Sequence, residues 1–570
     1  MNAPPRHWWE TAAVYQIYVR SFADANGDGV GDLPGIRSRL AYLAGLGVDA
    51  VWLTPCYPSP QHDHGYDVAD YFDIESVYGG LEAFDELLAD VHAHGLRLVM
   101  DVVPNHCSWD HPWFRAALAS PPFSAERERF YFRDGRGPGG SEPPNNWSAL
   151  FGGPAWCRVT EPDGTPGQWY LQTFTPQQPD LNWSNHEVIE HFDRMLTFWF
   201  DRGVDGFRVD AVGQLGKAPG LPDAPPVPTD TRVTDIGMRN PYSTFRPEGH
   251  EVWRRWRRLV DDYERGDPGR DRFLVAEVYT VGRPELLNEY ASHDEFHQTF
   301  AFDLLLAPWH APSIRTAIAE PVTALSAGGL LPTWTLNNHD AQRMVTRYGR
   351  ADATDPDTWS GNNLVNSDAP VDLEVGTRRA RAMAVAGLAL PGAIYLYQGE
   401  ELGLPEVLDL PADARQDPVF VRTDGREIGR DGCRLPLPWT EDAAGNHGFS
   451  VTSDEGEPAP PWLPQPVGWG GFAVSGQDGE PASMLTLYRE GLRVRRACAS
   501  AMGDELVWSA DLAEDVVAFE RGSVLVVLNL SGGHVELPSP LVDGRSVLLS
   551  SVPGHHDQRV VPADAAVWLA

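Results

Sequence analysis

Hydrophobic positions along the chain fall into two alternating patterns. Short apolar runs that end in polar or charged residues are AVYQIYVRSF (13–22), DAVWLTP (49–55), RLVMDVVPNH (97–106), GFRVDAV (206–212), FLVAEVY (273–279), QTFAFDL (298–304), TWTLNNHD (333–340) and AIYLYQGEE (393–401). Between them the apolar residues take helical spacing. Phe84, Leu87, Leu88 and Val91 recur at i, i+3, i+4 and i+7, and Gly95 follows where a helix C-terminal cap belongs. Val188, Phe192, Met195, Leu196 and Trp199 repeat the pattern, closed by Gly203. Nearly continuous apolar strands interleaved with such helices predict a parallel sheet covered on its outside. Eight strands are what a closed (β/α)8 TIM barrel requires, and a doubly wound open sheet is the structural alternative.

Two connections exceed ordinary loop length, and long loops in compact domains usually carry function or fold as small domains of their own. Residues 107–177, rich in Pro, Gly and Trp, leave the C-terminal end of the third strand and read as an inserted domain beside the barrel mouth. Residues from about 402 to 480 follow the eighth strand, include the proline-rich GEPAPPWLPQPVGWGG, and are expected to close the other side of a pocket. After a helical stretch at 483–496, alternating strands such as DVVAFE and SVLVVLNLSGG predict an all-β C-terminal sandwich over 505–570. The barrel itself is then expected over 1–106 and 178–500.

Charge narrows the partners. With 80 acidic against 45 basic side chains, the formal charge of −35 repels nucleic acid and anionic membranes, so a neutral small molecule is the expected ligand. The 20 Trp and 17 Tyr offer faces that stack on sugar rings, and serve equally well in ordinary cores. Cys56, Cys107, Cys157, Cys433 and Cys498 lack the CxxC spacing of zinc or redox sites and read as reduced thiols. Residues 1–20 hold no signal-peptide core, and no apolar run of about 18 residues occurs anywhere, so a soluble cytoplasmic protein is expected. Oligomeric state is not written in this pattern.

Three acidic residues carry the candidate chemistry. In a barrel of this kind functional groups sit at C-terminal strand ends, where the loops converge over the axis. Asp210 ends the fourth run, Glu277 the fifth and Asp340 the seventh. A lone Asp at a strand end is usually a cap or turn residue, but three on separate strands can meet at one point. Cleavage of a glycosidic bond with retention needs two carboxyl groups about 5 Å apart, one attacking the anomeric carbon and one protonating the leaving oxygen.

The strings DVVPNH (101–106), GFRVDAV and LNNHD (336–340) resemble those shared across the α-amylase superfamily, glycoside hydrolase family thirteen, and the likeness covers nearly the whole chain. QPDLN (178–182), GRDGCRLPLPW (429–439) and WLP (462–464) are similar to segments of its oligo-1,6-glucosidase and α-glucosidase branch. KAPGLPD (217–223) resembles a loop of actinobacterial-type α-glucosidases. The resemblance implies Asp210 as nucleophile, Glu277 as general acid/base and Asp340 as a third carboxylate that binds two sugar hydroxyls. It implies His106 and His339 as donors to the bound glucose and Tyr66 as a platform under its ring. Asp63 and Arg430 are implied as a clamp on the terminal 4-hydroxyl, with Arg434 the competing candidate for that pairing, which makes the enzyme exo-acting. Arg208, two residues before Asp210 and on the same strand face, is expected to hold the nucleophile ionised. Glu277 needs an apolar or anionic setting that keeps it protonated. Asp101 is expected to support the barrel interior.

DANGDGVGD sets Asp24, Asn26, Asp28 and Asp32 at positions 1, 3, 5 and 9 of a loop, with Gly29 at the turn and the Val30 carbonyl at position 7. That is a calcium-loop order of hard oxygen ligands, although Gly35 stands where the bidentate glutamate belongs. The resemblance implies a structural Ca2+ or Mg2+ there and no cofactor for the chemistry. In this branch the residue after the nucleophile tracks linkage, and Ala211 points to α-1,4-glucosides such as maltose. The expected function is a retaining α-glucosidase. The alternatives are a glucosyltransferase, isomerase, oligo-1,6-glucosidase or sucrose-acting enzyme of the same fold, and a non-catalytic carbohydrate-binding protein, against which the intact carboxylates argue.

Overall fold

The structure is a computed structural model that describes residues 7–228, 231, 233–266, 270–357, 369–451, 459–509 and 512–570. The start of the proline-rich tract, 456–458, lies outside the described residues. Eight strands form a closed parallel barrel: β1 (Ala13–Ile17), β2 (Ala50–Leu53), β3 (Arg97–Val102), β4 (Gly206–Val209), β5 (Phe273–Ala276), β6 (Gln298–Ala301), β7 (Thr333–Thr335) and β8 (Ala393–Tyr397). Each predicted run contains one of them. Because β1 pairs with β8 as well as with β2, the sheet has no edge, and the doubly wound alternative is excluded.

Strand alternation determines what the barrel encloses. Val14, Trp52, Val99, Phe273, Val275, Phe300 and Tyr395 pack together in one cluster inside the barrel, whereas their sequence neighbours, such as Tyr15, Leu53, Met100 and Leu274, join the core under the helices. Two residues beyond an inward side chain, the next one faces inward again. Val99 is thus followed by Asp101, Val275 by Glu277, and Gly206 by Arg208 and Asp210. Gly206 itself is required by packing, since a Cβ there would lie 2.4 Å from the Phe273 ring.

Helices cover the outside. In α1 (Gly80–Ala93) the buried residues are Phe84, Leu87, Leu88 and Val91. In α2 (His186–Arg202) they include Val188, Phe192, Met195, Leu196 and Trp199. Gly95 (φ 75°) and Gly203 (φ 108°) take the left-handed conformation that ends each helix. Between β3 and β4, strands Phe132–Arg133, Pro166–Leu171 and Trp156–Thr160 form an antiparallel sheet in that spatial order. The C-terminal region is a five-stranded antiparallel sheet with a separate two-stranded pair. It docks on α3 (Leu373–Leu388), where Trp568 Nε1 donates to the Val385 carbonyl at 2.9 Å and Arg379 pairs with Asp564 at 3.0 Å. Among the described residues, no helix is long and apolar enough to cross a membrane.

Candidate active site

Asp210 and Glu277 are each the residue after the last register pair of adjacent strands, Val209 with Ala276, so they leave the barrel side by side. A single buried guanidinium touches both. Arg208 Nη1 donates to Asp210 Oδ1 at 2.7 Å and to the Asp101 oxygens at 2.8 and 3.0 Å, and its Nη2 lies 3.6 Å from Glu277 Oε2. Glu277 Oε2 also accepts the Ala211 N–H at 2.7 Å, an approach that requires Ala211 to adopt φ 49°. Such a left-handed non-glycine residue costs on the order of 1–3 kcal/mol and commonly marks a functional site. With Asp340, Asp210 and Glu277 line one cavity of about 190 Å³. Asp63, Tyr66, His106, Arg208, His339 and Arg430 line it too, so every sequence-predicted catalytic and substrate-binding residue converges there. Asp101 lies beneath, outside the lining, held by Arg208 and by the Tyr66 hydroxyl at 3.1 Å.

Opposing effects set the charge of Asp210. Burial, reinforced by repulsion from Glu277 and Asp340, outweighs the guanidinium and pushes Asp210 up to about 7. Burial raises Glu277 as well, against the pull of Arg208. Neighbouring like charges titrate as a pair and retain one proton between them. The closer guanidinium contact of Asp210, 2.7 against 3.6 Å, favours the anion there and the proton on Glu277. Asp340 behaves oppositely. Burial would raise it, but Arg430, Arg434 and Arg208 together bring its carboxyl below the usual range. Burial lowers His106 to about 4 and His339 well below 6.5, so both imidazoles are neutral.

Both candidate arginines converge on Asp340 Oδ1, Arg430 at 3.0 Å and Arg434 at 2.8 Å. Only Arg430 also reaches Asp63, with Nη2 at 3.0 Å from Oδ1. Its remaining Nε donates to Asp417 at 2.6 Å, and Phe151 of the inserted segment packs on its face at 4.7 Å. The cavity is therefore walled by the inserted segment, the loops after β4 and β5, and the segment after β8.

Several residues escaped the sequence reading. Gln178, in the quoted QPDLN, donates to Asp63 Oδ2 at 3.0 Å. Lys217, in the quoted KAPGLPD, is buried against Asp180 at 3.0 Å. Both had a motif as signal but no role attached. Asp417 and Gln16, the latter 2.6 Å from His339 Nδ1, had no signal at all.

The acidic loop lies apart from this cavity and lines none of it. Asp24 accepts N–H groups of Asn26, Gly27 and Gly29, and Asp32 caps the helix Leu33–Ser38 through Gly35 N. Gly29 (φ 88°) is needed, since a Cβ would sit 2.2 Å from the Pro460 carbonyl oxygen. Burial, with smaller contributions from Asp24 and Asp28, pushes Asp32 up to about 6. The donor set of carboxylates, an amide and a carbonyl suits a hard divalent ion. Among the described residues the three loop carboxylates do not gather within 4.8 Å of one another, so Asn26 and the Val30 carbonyl would be needed in the shell.

The α-amylase catalytic domain family matches residues 16–503. A probable α-glucosidase of Rhizobium meliloti is 36% identical over 76% of this chain and 74% of its own length. An oligo-1,6-glucosidase of Parageobacillus thermoglucosidasius is 34% identical over 78% and 77%. The solved structure of an α-glucosyl transfer enzyme, XgtA, superposes with a TM-score of 0.83 at 34% identity, covering 99% of each chain. With its closed barrel and a pocket ringed by carboxylates, this chain belongs to the α-amylase family and is a glycoside hydrolase of its oligo-1,6-glucosidase and α-glucosidase branch.

Proposed function

We propose that the chain is a retaining, exo-acting α-glucosidase that releases glucose from the non-reducing end of short α-1,4-glucosides such as maltose. One observation carries the reading: Asp210 and Glu277 share the Arg208 guanidinium in a pocket that also holds the Asp63–Arg430 ion pair. Asp210 attacks the anomeric carbon while Glu277 gives its proton to the glycosidic oxygen, and the aglycone leaves. Glu277, now a base, takes a proton from water as that water displaces Asp210 and restores the α configuration. Asp340, kept anionic by its two arginines, accepts two hydroxyls of the glucose, and neutral His106 and His339 donate to others. Asp63 and Arg430 hold the terminal 4-hydroxyl, and Tyr66 stacks under the ring. The small side chain of Ala211 leaves room beside the leaving sugar, a difference worth roughly 1–3 kcal/mol between linkages.

No cofactor takes part in these steps. Asp24, Asn26, Asp28, the Val30 carbonyl and Asp32 would hold a Ca2+ or Mg2+ ion that stiffens their loop.

Transfer to an acceptor other than water is the second reading. It is favoured by the likeness to XgtA and by Met238, Phe245 and Val278, apolar residues on the cavity wall that suit an organic acceptor. Incubation with maltose, isomaltose, sucrose and trehalose, with products followed by proton NMR, separates the readings. From 4-nitrophenyl α-glucoside, whose leaving group is not a sugar, α-glucose is expected first. β-Glucose first from it would end the retaining mechanism, attack on isomaltose faster than on maltose the linkage assignment, and accumulation of new oligosaccharides the hydrolytic one.

A further inference from the structure

Lys217 lies in the loop after β4, and its side chain is 1% exposed. A buried ammonium is tolerated only when its three N–H donors are all used. Here they are: Nζ meets Asp180 Oδ2 at 3.0 Å, Asn105 Oδ1 at 3.1 Å and the Gln214 carbonyl. These partners come from the exit of the inserted segment, the end of the β3 run and the turn after Asp210.

The contact to Asn105 has a chemical consequence. Holding its oxygen against the ammonium turns its Nδ2 toward Asp180 Oδ1 at 3.3 Å and toward His106 Nδ1 at 3.2 Å. The ring's other nitrogen, Nε2, meets both the Tyr66 carbonyl and the Gln178 side-chain amide nitrogen at 3.1 Å. Burial keeps the imidazole neutral, and its place in the pocket is fixed from both edges of the ring. We infer that Lys217 is a positioning residue that sets, through Asn105, the orientation of His106 in the sugar pocket. The same ammonium ties this setting to the nucleophile loop through Gln214. The inference rests on the proposed role of His106 as a contact to the bound glucose.

Lysine suits the task where arginine does not, because three acceptors around one nitrogen match a tetrahedral ammonium and not a planar fork. The test is a double-mutant cycle on kcat/KM for maltose between Lys217→Met and His106→Ala. A charge-neutral variant, Lys217→Met with Asp180→Asn, guards against misfolding from an unpaired buried carboxylate, and thermal melting follows every protein. Lys217→Met and the charge-neutral variant are each expected to lose about tenfold or more in kcat/KM, and Lys217→Met less than about twofold in the His106→Ala background. Losses that multiply across the cycle would overturn the inference, as would a charge-neutral variant that works as well as the parent. If His106→Ala alone works like the parent, the sugar-contact reading fails first, and the inference with it.

Discussion

Replacing Arg208 by Met removes the one cation shared by three buried carboxyls, Asp101, Asp210 and Glu277. The guanidinium charge is delocalised, so its effective distance from Asp210 is about 4 Å although the nearest contact is 2.7 Å. At an effective dielectric of about 20, a unit pair at that separation is worth about 4 kcal/mol, or about three pKa units. Asp101, already raised to about 7 by burial and by Asp210, then takes a proton, and the lost repulsion returns roughly one of those units. The acid limb of kcat/KM should therefore move up by about two pH units, with a loss of about a hundredfold at neutral pH. Stability shifts in a defined direction. Carboxyls whose folded pKa lies above the unfolded value contribute stability below about pH 4 that is lost as pH rises through the folded pKa. The melting temperature of the variant should consequently fall more steeply than the parent's between roughly pH 6 and pH 9. Initial rates on 4-nitrophenyl α-glucoside across this range, with melting curves at each pH, decide the matter. A folded variant whose acid limb stays at the parent position would refute the electrostatic reasoning.

Other outcomes follow from the same geometry. Glu277→Gln keeps the shape of the side chain but has no proton to give, and should slow maltose cleavage by about 10²–10⁴-fold; glucose release at the parent rate would remove Glu277 from the mechanism. Arg430→Met leaves Asp63 and Asp417 without their closest cation, and should cost about 3–5 kcal/mol of stability in denaturant titrations and raise KM for maltose; an unchanged KM would end the clamp assignment. Chelator should lower the melting temperature by a few degrees, and added Ca2+ should restore it; a response that persists unchanged in Asp28→Ala would locate the ion elsewhere.

How much of this was legible follows from how local each signal is. The runs at 206–212 and 273–279 showed strands because apolar continuity is a property of adjacent residues, and inward parity then carried Asp210 and Glu277 to the axis. The pairing of Arg430 with Asp63 was not legible. Two arginines four positions apart read alike in the chain, and the choice depends on where the segment after β8 folds back over the barrel. The raised pKa of Asp210 was hidden for a related reason. The sequence displays the neighbouring cation at Arg208 but not the depth of burial or the approach of Glu277 and Asp340, which together outweigh it. Gln16 and Asp417 had no local pattern to mark them, since each matters through one distant partner.

Alternation of apolar and helical segments, the carboxylates at strand ends and the glycine-permitted acidic loop were determined by the sequence itself, because backbone periodicity and side-chain chemistry act over a few residues. Tertiary structure alone decided which arginine meets which carboxylate, how burial divides the protons of the Asp210–Glu277 pair, and how Lys217 reaches His106. Those outcomes depend on distance and desolvation between residues remote in the chain, quantities that exist only once the barrel has closed.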